Sequence, residues 1–153
     1  MKVCLGGTFD ELHKGHKILI NKAYNIAGKD GFVFIGITSD ILLKSKINVE
    51  PIEKRKQIVR NYLRKKKFGI KTKIAPIEDK YGPSIIGDFD AIVVSSETVN
   101  TANEINQIRR KNGLKPLKIV DISMVLADNG KPISSSRIRK KEINENGKIL
   151  DED

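Results

Sequence analysis

Gly6-Gly7-Thr8-Phe9-Asp10-Glu11-Leu12-His13-Lys14-Gly15-His16 is the stretch on which the reading of this chain turns. It follows the apolar run Val3-Cys4-Leu5, which reads as a buried first strand. It runs into residues 17–27, an amphipathic segment that reads as a helix. A helix N-terminus presents unpaired N–H groups and the positive end of the macrodipole, and such a place binds phosphate. His13 and His16 flank Gly15 at the mouth of this helix. The arrangement suggests a site that holds a phosphate chain and stabilises charge developing on it.

Outward from that stretch, strand and helix signals alternate. Residues 31–38 (GFVFIGIT), 71–77, 91–95 (AIVVS) and 117–122 read as strands. Residues 50–67 read as a helix with Pro51 in the first helical position and Glu53 in the first turn. Residues 98–112 read as another, stopped by Gly113, while residues 81–88 read as a loop or short helix. The fold class expected is α/β: a Rossmann-like, five-stranded parallel sheet with helices on both faces. Ligands of such sheets bind beyond the carboxyl ends of the strands, where the histidine stretch falls.

A chain of 153 residues favours one domain and can bury a core without staples. Aromatic residues are 5% and Trp is absent, so that core rests on Ile, Val and Leu. The single Cys4 excludes an intrachain disulfide and a cysteine-based metal site, and reads as a small buried hydrophobe. Neither a signal peptide nor a spanning apolar stretch is seen, which reads as cytoplasmic. The net charge of +10 fits an anionic partner, nucleotide or nucleic acid, without choosing between them. The basic runs at residues 64–67 and 109–111 end helices, where cations complement the dipole and stay solvated. Residues 144–153 read as a polar, peripheral C-terminal tail.

A second constellation is Pro132-Ile133-Ser134-Ser135-Ser136-Arg137-Ile138-Arg139. Serine is a preferred N-cap, so a capped terminal helix with a solvated basic face explains the pattern by itself. Set beside the histidine stretch, the hydroxyls and helix-start N–H groups suit the distal phosphates of a triphosphate, and Arg137 suits a forked contact with them. A third element, Thr38-Ser39-Asp40, begins the loop at the carboxyl end of the second strand, with Lys44 and Lys46 following. Either lysine reads equally as a phosphate contact or as a solvated loop residue.

Gly6-Gly7-Thr8-Phe9-Asp10 with His13-x-Gly15-His16 resembles the T/HxGH signature of the nucleotidyltransferase superfamily. Residues 133–139 resemble its ISSTxxR signature, with Ser136 where Thr is frequent. Residues 36–40, 51–55, 94–98, 105–109 and 113–117 are similar to the archaeal and eukaryotic branch of phosphopantetheine adenylyltransferases. The resemblance spans residues 2–140 and makes residues 1–143 a nucleotidyltransferase domain.

The resemblance implies adenylyl transfer from ATP to 4′-phosphopantetheine, giving dephospho-coenzyme A and pyrophosphate, with Mg²⁺ accompanying ATP. It implies catalytic roles for His16, Thr8 and Lys44 or Lys46. ATP would be held by Gly6, Gly7, Thr8, Phe9, His13, Gly15, His16, Ser134, Ser135, Ser136 and Arg137. The acceptor would be met by Thr8 and Lys44, with Thr38, Ser39 and Asp40 candidates by position. No residue is assigned as a protein metal ligand, and no nucleic acid or membrane is expected as a partner. Asp10 reads as a brace that accepts backbone N–H groups. A glycerol-phosphate cytidylyltransferase or FAD synthetase shares the GTFD-type start. A basic RNA-binding module is the rival from another class, and the chain lacks the interleaved aromatics of a stacking platform.

Overall fold

A computed structural model describes residues 1–43, 48–122, 138 and 144–148. Five strands form one parallel sheet: β1 (Lys2–Gly7), β2 (Phe32–Thr38), β3 (Lys71–Ile77), β4 (Ala91–Val94) and β5 (Lys118–Asp121). Their order across the sheet is β3-β2-β1-β4-β5. The helices are α1 (Lys14–Ala27), α2 (Ile52–Lys66) and α3 (Val99–Lys111), with a 3₁₀ turn at Gly82–Ile85. The expected α/β architecture is therefore present.

Alternation along the strands sorts two cores. Val3, Leu5, Val33, Ile35, Ile37 and Val93 face α1 and α2, where Ile20, Ala23 and Val59 are fully buried. Cys4, Phe34, Ile92 and Val94 face α3, where Ala102 and Ile105 meet them. Successive strand residues point to opposite faces, so apolar residues at every position mark a sheet covered on both sides. The edge strand β3 sends Ile74 to one core and Ala75 and Ile77 to the other, while Lys71 and Lys73 at its start are exposed.

The chain runs outward from β1 through β2 to β3, then returns to lay β4 on the other side of β1. That reversal splays the connections leaving β1 and β4 and opens a crevice at their carboxyl ends. Two element bounds depart from expectation in an informative way. Helix α1 begins at Lys14, three residues before the amphipathic pattern, because His13 caps it. Pro51 stands as the N-cap of α2 and not inside it; it has no side-chain donor or acceptor, and the Asp40 carboxylate takes the Ile52 N–H at 3.1 Å in its place.

Candidate active site

A cavity of about 550 Å³ occupies the crevice between β1 and β4. Gly6, Gly7, Thr8, Phe9, Asp10 and the two histidines line it on the β1–α1 side, and Thr38 and Leu42 on the β2 side. The segment leaving β4 closes it with Ser95, Ser96, Glu97 and Thr98. The volume is that of a small-molecule site.

His13 and His16 cap α1 reciprocally. His13 Nδ1 accepts the Gly15 N–H at 3.0 Å and the His16 N–H at 3.4 Å. His16 Nδ1 in turn accepts the His13 N–H at 3.3 Å. This is a capping box in which imidazoles replace the usual hydroxyl and carboxamide. The rings stack with centroids 3.7 Å apart. Because each Nδ1 is an acceptor, the neutral ring carries its proton on Nε2. Burial holds the His13 pKa down to about 4 and the His16 pKa down to about 3, each ring also disfavouring charge beside a neighbour, Lys17 for His13 and His13 for His16. The pair offers hydrogen-bond donors at neutral pH without a fixed charge.

The backbone groups of that helix end are already used. The four first N–H groups of a helix have no partner within it. Here His13 N–H goes to His16 Nδ1, Lys14 N–H to the Glu145 carbonyl at 2.8 Å, and Gly15 and His16 N–H to His13 Nδ1. The expectation of unpaired N–H groups waiting for phosphate is thus corrected. What the helix end presents to an anion is its dipole and the two rings.

The turn before α1 is tightly folded. Phe9 and Glu11 take left-handed φ values of 51° and 49°, uncommon for residues with large side chains. The Phe9 ring is fully buried, 5.3 Å from the His16 ring. A Cβ on Gly7 would approach that ring to 3.3 Å, so position 7 has little room for a side chain. Asp10 is buried and accepts the Glu50 N–H at 3.1 Å, tying the turn to the entry of α2. It braces with an N–H that comes from far along the chain.

Arg55 completes that scaffold. Its side chain is fully buried. Nη1 donates to the carbonyls of Thr8 at 2.9 Å and Thr38 at 2.7 Å. Nε donates to the Glu50 carbonyl at 2.8 Å and Nη2 to Asp40 Oδ1 at 2.9 Å. One guanidinium therefore joins the carboxyl ends of β1 and β2 to the start of α2. Arg55 falls inside the similar segment 51–55, and its place on a strongly polar helix gives no local signal of this burial. Arg109 repeats the device on the other face, donating to the carbonyls of Lys115, Ser84 and Gly87 at 2.8–2.9 Å. The solvated reading of residues 109–111 is corrected for Arg109, which is buried, while Arg64, Lys65, Lys66 and Lys67 are exposed as expected.

On the α3 side the cavity is more apolar, with Ile77, Tyr81, Pro83, Ala102 and Ile105 among its walls. The Tyr81 hydroxyl donates to Glu104 Oε2 at 2.9 Å, and Lys80 Nζ pairs with the same oxygen at 2.7 Å. Cys4 also borders the cavity, but burial pushes its thiol up to about 12.

The candidates thus separate. Gly6, Gly7, Thr8, Phe9, His13, Gly15, His16 and Thr38 gather around one cavity. Ser39 and Asp40 are turned to scaffold work: Ser39 Oγ accepts the Leu42 N–H, and Asp40 serves Ile52 and Arg55. Lys44, Lys46, Ser134, Ser135, Ser136 and Arg137 lie outside the described residues. The segment 95–98 was met only as part of a resemblance.

A model of the cytidylyltransferase-like family matches residues 4–141. The chain is 46% identical over 154 residues to a phosphopantetheine adenylyltransferase of Methanosarcina mazei, covering 99% of this chain and 98% of that protein. It is 42% identical over 151 residues to one of Archaeoglobus fulgidus, covering 98% and 100%. The chain belongs to the phosphopantetheine adenylyltransferase family. A solved structure of a protein of unknown function from Archaeoglobus fulgidus is similar at a TM-score of 0.72 and 41% identity, covering 80% of this chain and 89% of that one. For this family member the match starts within β1 and includes the histidine turn, the other four strands and residues 123–141 beyond them. Among the described residues, no helix is long and apolar enough to cross a membrane.

Proposed function

We propose that the β1–β4 cavity transfers the adenylyl group of ATP to 4′-phosphopantetheine, forming dephospho-coenzyme A and pyrophosphate. The observation that carries this reading is the pair of neutral imidazoles capping α1 at the cavity wall, in a chain of this family. A phosphate oxygen of the acceptor attacks the α-phosphorus of ATP. A P–O bond forms there, the bond to the bridging oxygen of the β-phosphate breaks, and pyrophosphate carries away the electron pair. The second pKa of a phosphate monoester is about 6, so the attacking group is largely a dianion at neutral pH and needs no general base. Alignment and dispersal of negative charge supply the catalysis, with no covalent protein intermediate.

In this reading His16 donates through Nε2 to the α-phosphate as charge builds there. His13 follows the nucleotide phosphates, and Thr8 orients the acceptor phosphate through its hydroxyl. Lys44 or Lys46 bridges the two substrates. Ser134, Ser135, Ser136 and Arg137 hold the β- and γ-phosphates and the departing pyrophosphate. Neutral rings suit the task, since they donate without anchoring the product anion by full charge. The apolar wall beside α3 suits the pantetheine arm, a chain of methylenes and amides.

ATP enters as its Mg²⁺ complex. Among the described residues no group of three or more His, Cys, Asp and Glu is arranged around a metal position. Mg²⁺ keeps several waters and binds chiefly through substrate phosphates, so it needs no dedicated protein cage. A cytoplasmic setting accords with ATP as donor.

Pyrophosphate release with ATP and 4′-phosphopantetheine tests the proposal. Turnover should require both substrates and fall strongly when CTP replaces ATP, or when glycerol phosphate or FMN replaces the acceptor. Faster turnover with CTP or with either alternative acceptor would overturn it, as would salt-sensitive RNA binding without pyrophosphate release.

A further inference from the structure

The polar segment after the similar region is tied to the first turn of α1. Residues 144–148 form a compact turn held from within. Asn144 Oδ1 accepts the N–H groups of Asn146 at 3.0 Å and Lys148 at 2.9 Å. The Asn144 carbonyl accepts the Gly147 N–H at 3.0 Å, and the Lys148 carbonyl accepts the Asn144 N–H at 2.9 Å. Gly147 is buried and has a φ of 82°, a left-handed conformation that glycine takes without penalty. The turn is therefore built, with a side chain folding its own backbone and a glycine where another residue would be strained.

Among the described residues, its backbone tie to the rest of the fold is aimed at α1. The Glu145 carbonyl accepts the Lys14 N–H at 2.8 Å. Lys14 stands between His13 and Gly15, inside the box that orients both rings. The imidazoles accept the other three amides of that helix end, and the Glu145 carbonyl accepts this one. Two consequences follow. The first turn of α1 is complete only when residues 144–148 are docked. The Lys14 amide, which would otherwise attract a phosphate to the backbone, is already occupied.

We infer that residues 144–148 are a positioning segment of the active site, setting the His13–His16 pair and steering the ATP phosphates to the imidazole Nε2 groups and away from the helix amides. Asn144 is its keystone side chain, acting through Glu145 and Lys14 and touching no substrate. The inference rests on the reading of the histidine pair given under the proposed function, and it extends that reading to a segment expected to be peripheral.

The test uses the full chain with Asn144→Ala, Asn144→Asp and Gly147→Val, and a chain ending at residue 143. Adenylyl transfer is followed by steady-state kinetics, and exchange of the Lys14 amide by hydrogen–deuterium measurement. The Asn144→Ala chain should keep its melting temperature within a few degrees, lose protection at Lys14, and lose kcat by roughly tenfold through displaced rings, with the KM for 4′-phosphopantetheine unchanged. Asn144→Asp, whose carboxylate accepts the same two amides, should restore both readouts. Gly147→Val and the shortened chain should resemble Asn144→Ala. Wild-type kcat with an unchanged Lys14 exchange rate in Asn144→Ala would overturn the inference, as would equal losses in kcat and acceptor KM. Absence of adenylyl transfer in the unaltered chain would instead overturn the function itself, so the two failures are told apart.

Discussion

The Arg55 guanidinium is fully buried, yet the Asp40 carboxylate it meets at 2.9 Å keeps 56% of its side chain in water. Solvent therefore reaches only one member of the pair. Three further donors of Arg55 are committed to the carbonyls of Thr8, Thr38 and Glu50, and it is these that make the residue hard to replace.

Arg55→Ala leaves those carbonyls without their donor and opens a void beneath the turn before α1. Removing one partner of such a buried network costs about 3 kcal/mol. Urea denaturation should show a loss of that order, and turnover should fall with it because Thr8 loses its anchor. Arg55→Lys retains the charge but not the fork, and should fall between the two. An Arg55→Ala chain as stable as the parent would refute the scaffold role.

His16 caps through Nδ1, and the proposed mechanism gives it a second, separable duty as a donor through Nε2. Glutamine at the third helical position serves a capping box, so His16→Gln keeps an acceptor for the His13 N–H. We expect His16→Gln to melt close to the parent while kcat drops about 10²-fold or more, the usual consequence of removing one preorganised donor. His16→Ala should add a loss of about 1 kcal/mol in stability from the missing cap. ATP binding, read by calorimetry, should suffer less than turnover in both; equal losses would contradict the transition-state role.

Acid should destabilise this helix end through both rings. Each titrates below the 6.5 of a free imidazole, His13 near 4 and His16 near 3. The unfolded chain then binds protons first as the pH falls, which favours unfolding. The contribution of the pair is complete above pH 6.5, shrinks below it, and is lost as the pH drops through the folded values near 4 and 3. Melting temperatures from pH 8 to pH 4 should fall less steeply for the double variant His13→Asn, His16→Gln. Turnover has a different limb: kcat/KM should decline below about pH 6 as the acceptor phosphate gains its proton.

Cys4 should be chemically silent. It is buried and its thiol is pushed up to about 12, so almost no thiolate exists at neutral pH. A thiol reagent at pH 8 should leave the folded chain unmodified and label one site in denaturant. Cys4→Ala should retain adenylyl transfer, since the chemistry requires no nucleophile from the protein. Rapid native labelling would contradict the burial.

The strands were legible because buried parallel strands are written as apolar runs between Gly, Pro and charged residues, as at β2 and β4. The helices α2 and α3 emerged from spacing alone to within a residue or two. The start of α1 did not, because rules for caps look for Ser, Thr, Asp or Asn and this cap is an imidazole. Arg55 and Arg109 escaped for another reason. Arg55 lies on a helix dense in lysine and arginine and Arg109 in a basic last turn, where local pattern assigns charge to water. What buries them is a set of carbonyls brought together from distant segments, and no short window of sequence holds that information. That Thr8, His13 and His16 share one cavity was legible because one short stretch carries all three. Ser39 and Asp40 occupied the right end of β2 and proved to be spent on the framework.

Phe9, with its φ of 51° and its ring against His16, places two demands on one codon. Glycine there would relax the main chain and at the same moment remove the slab that supports the imidazole. Mutational drift toward a sturdier protein and selection for a faster one therefore pull position 9 in opposite directions.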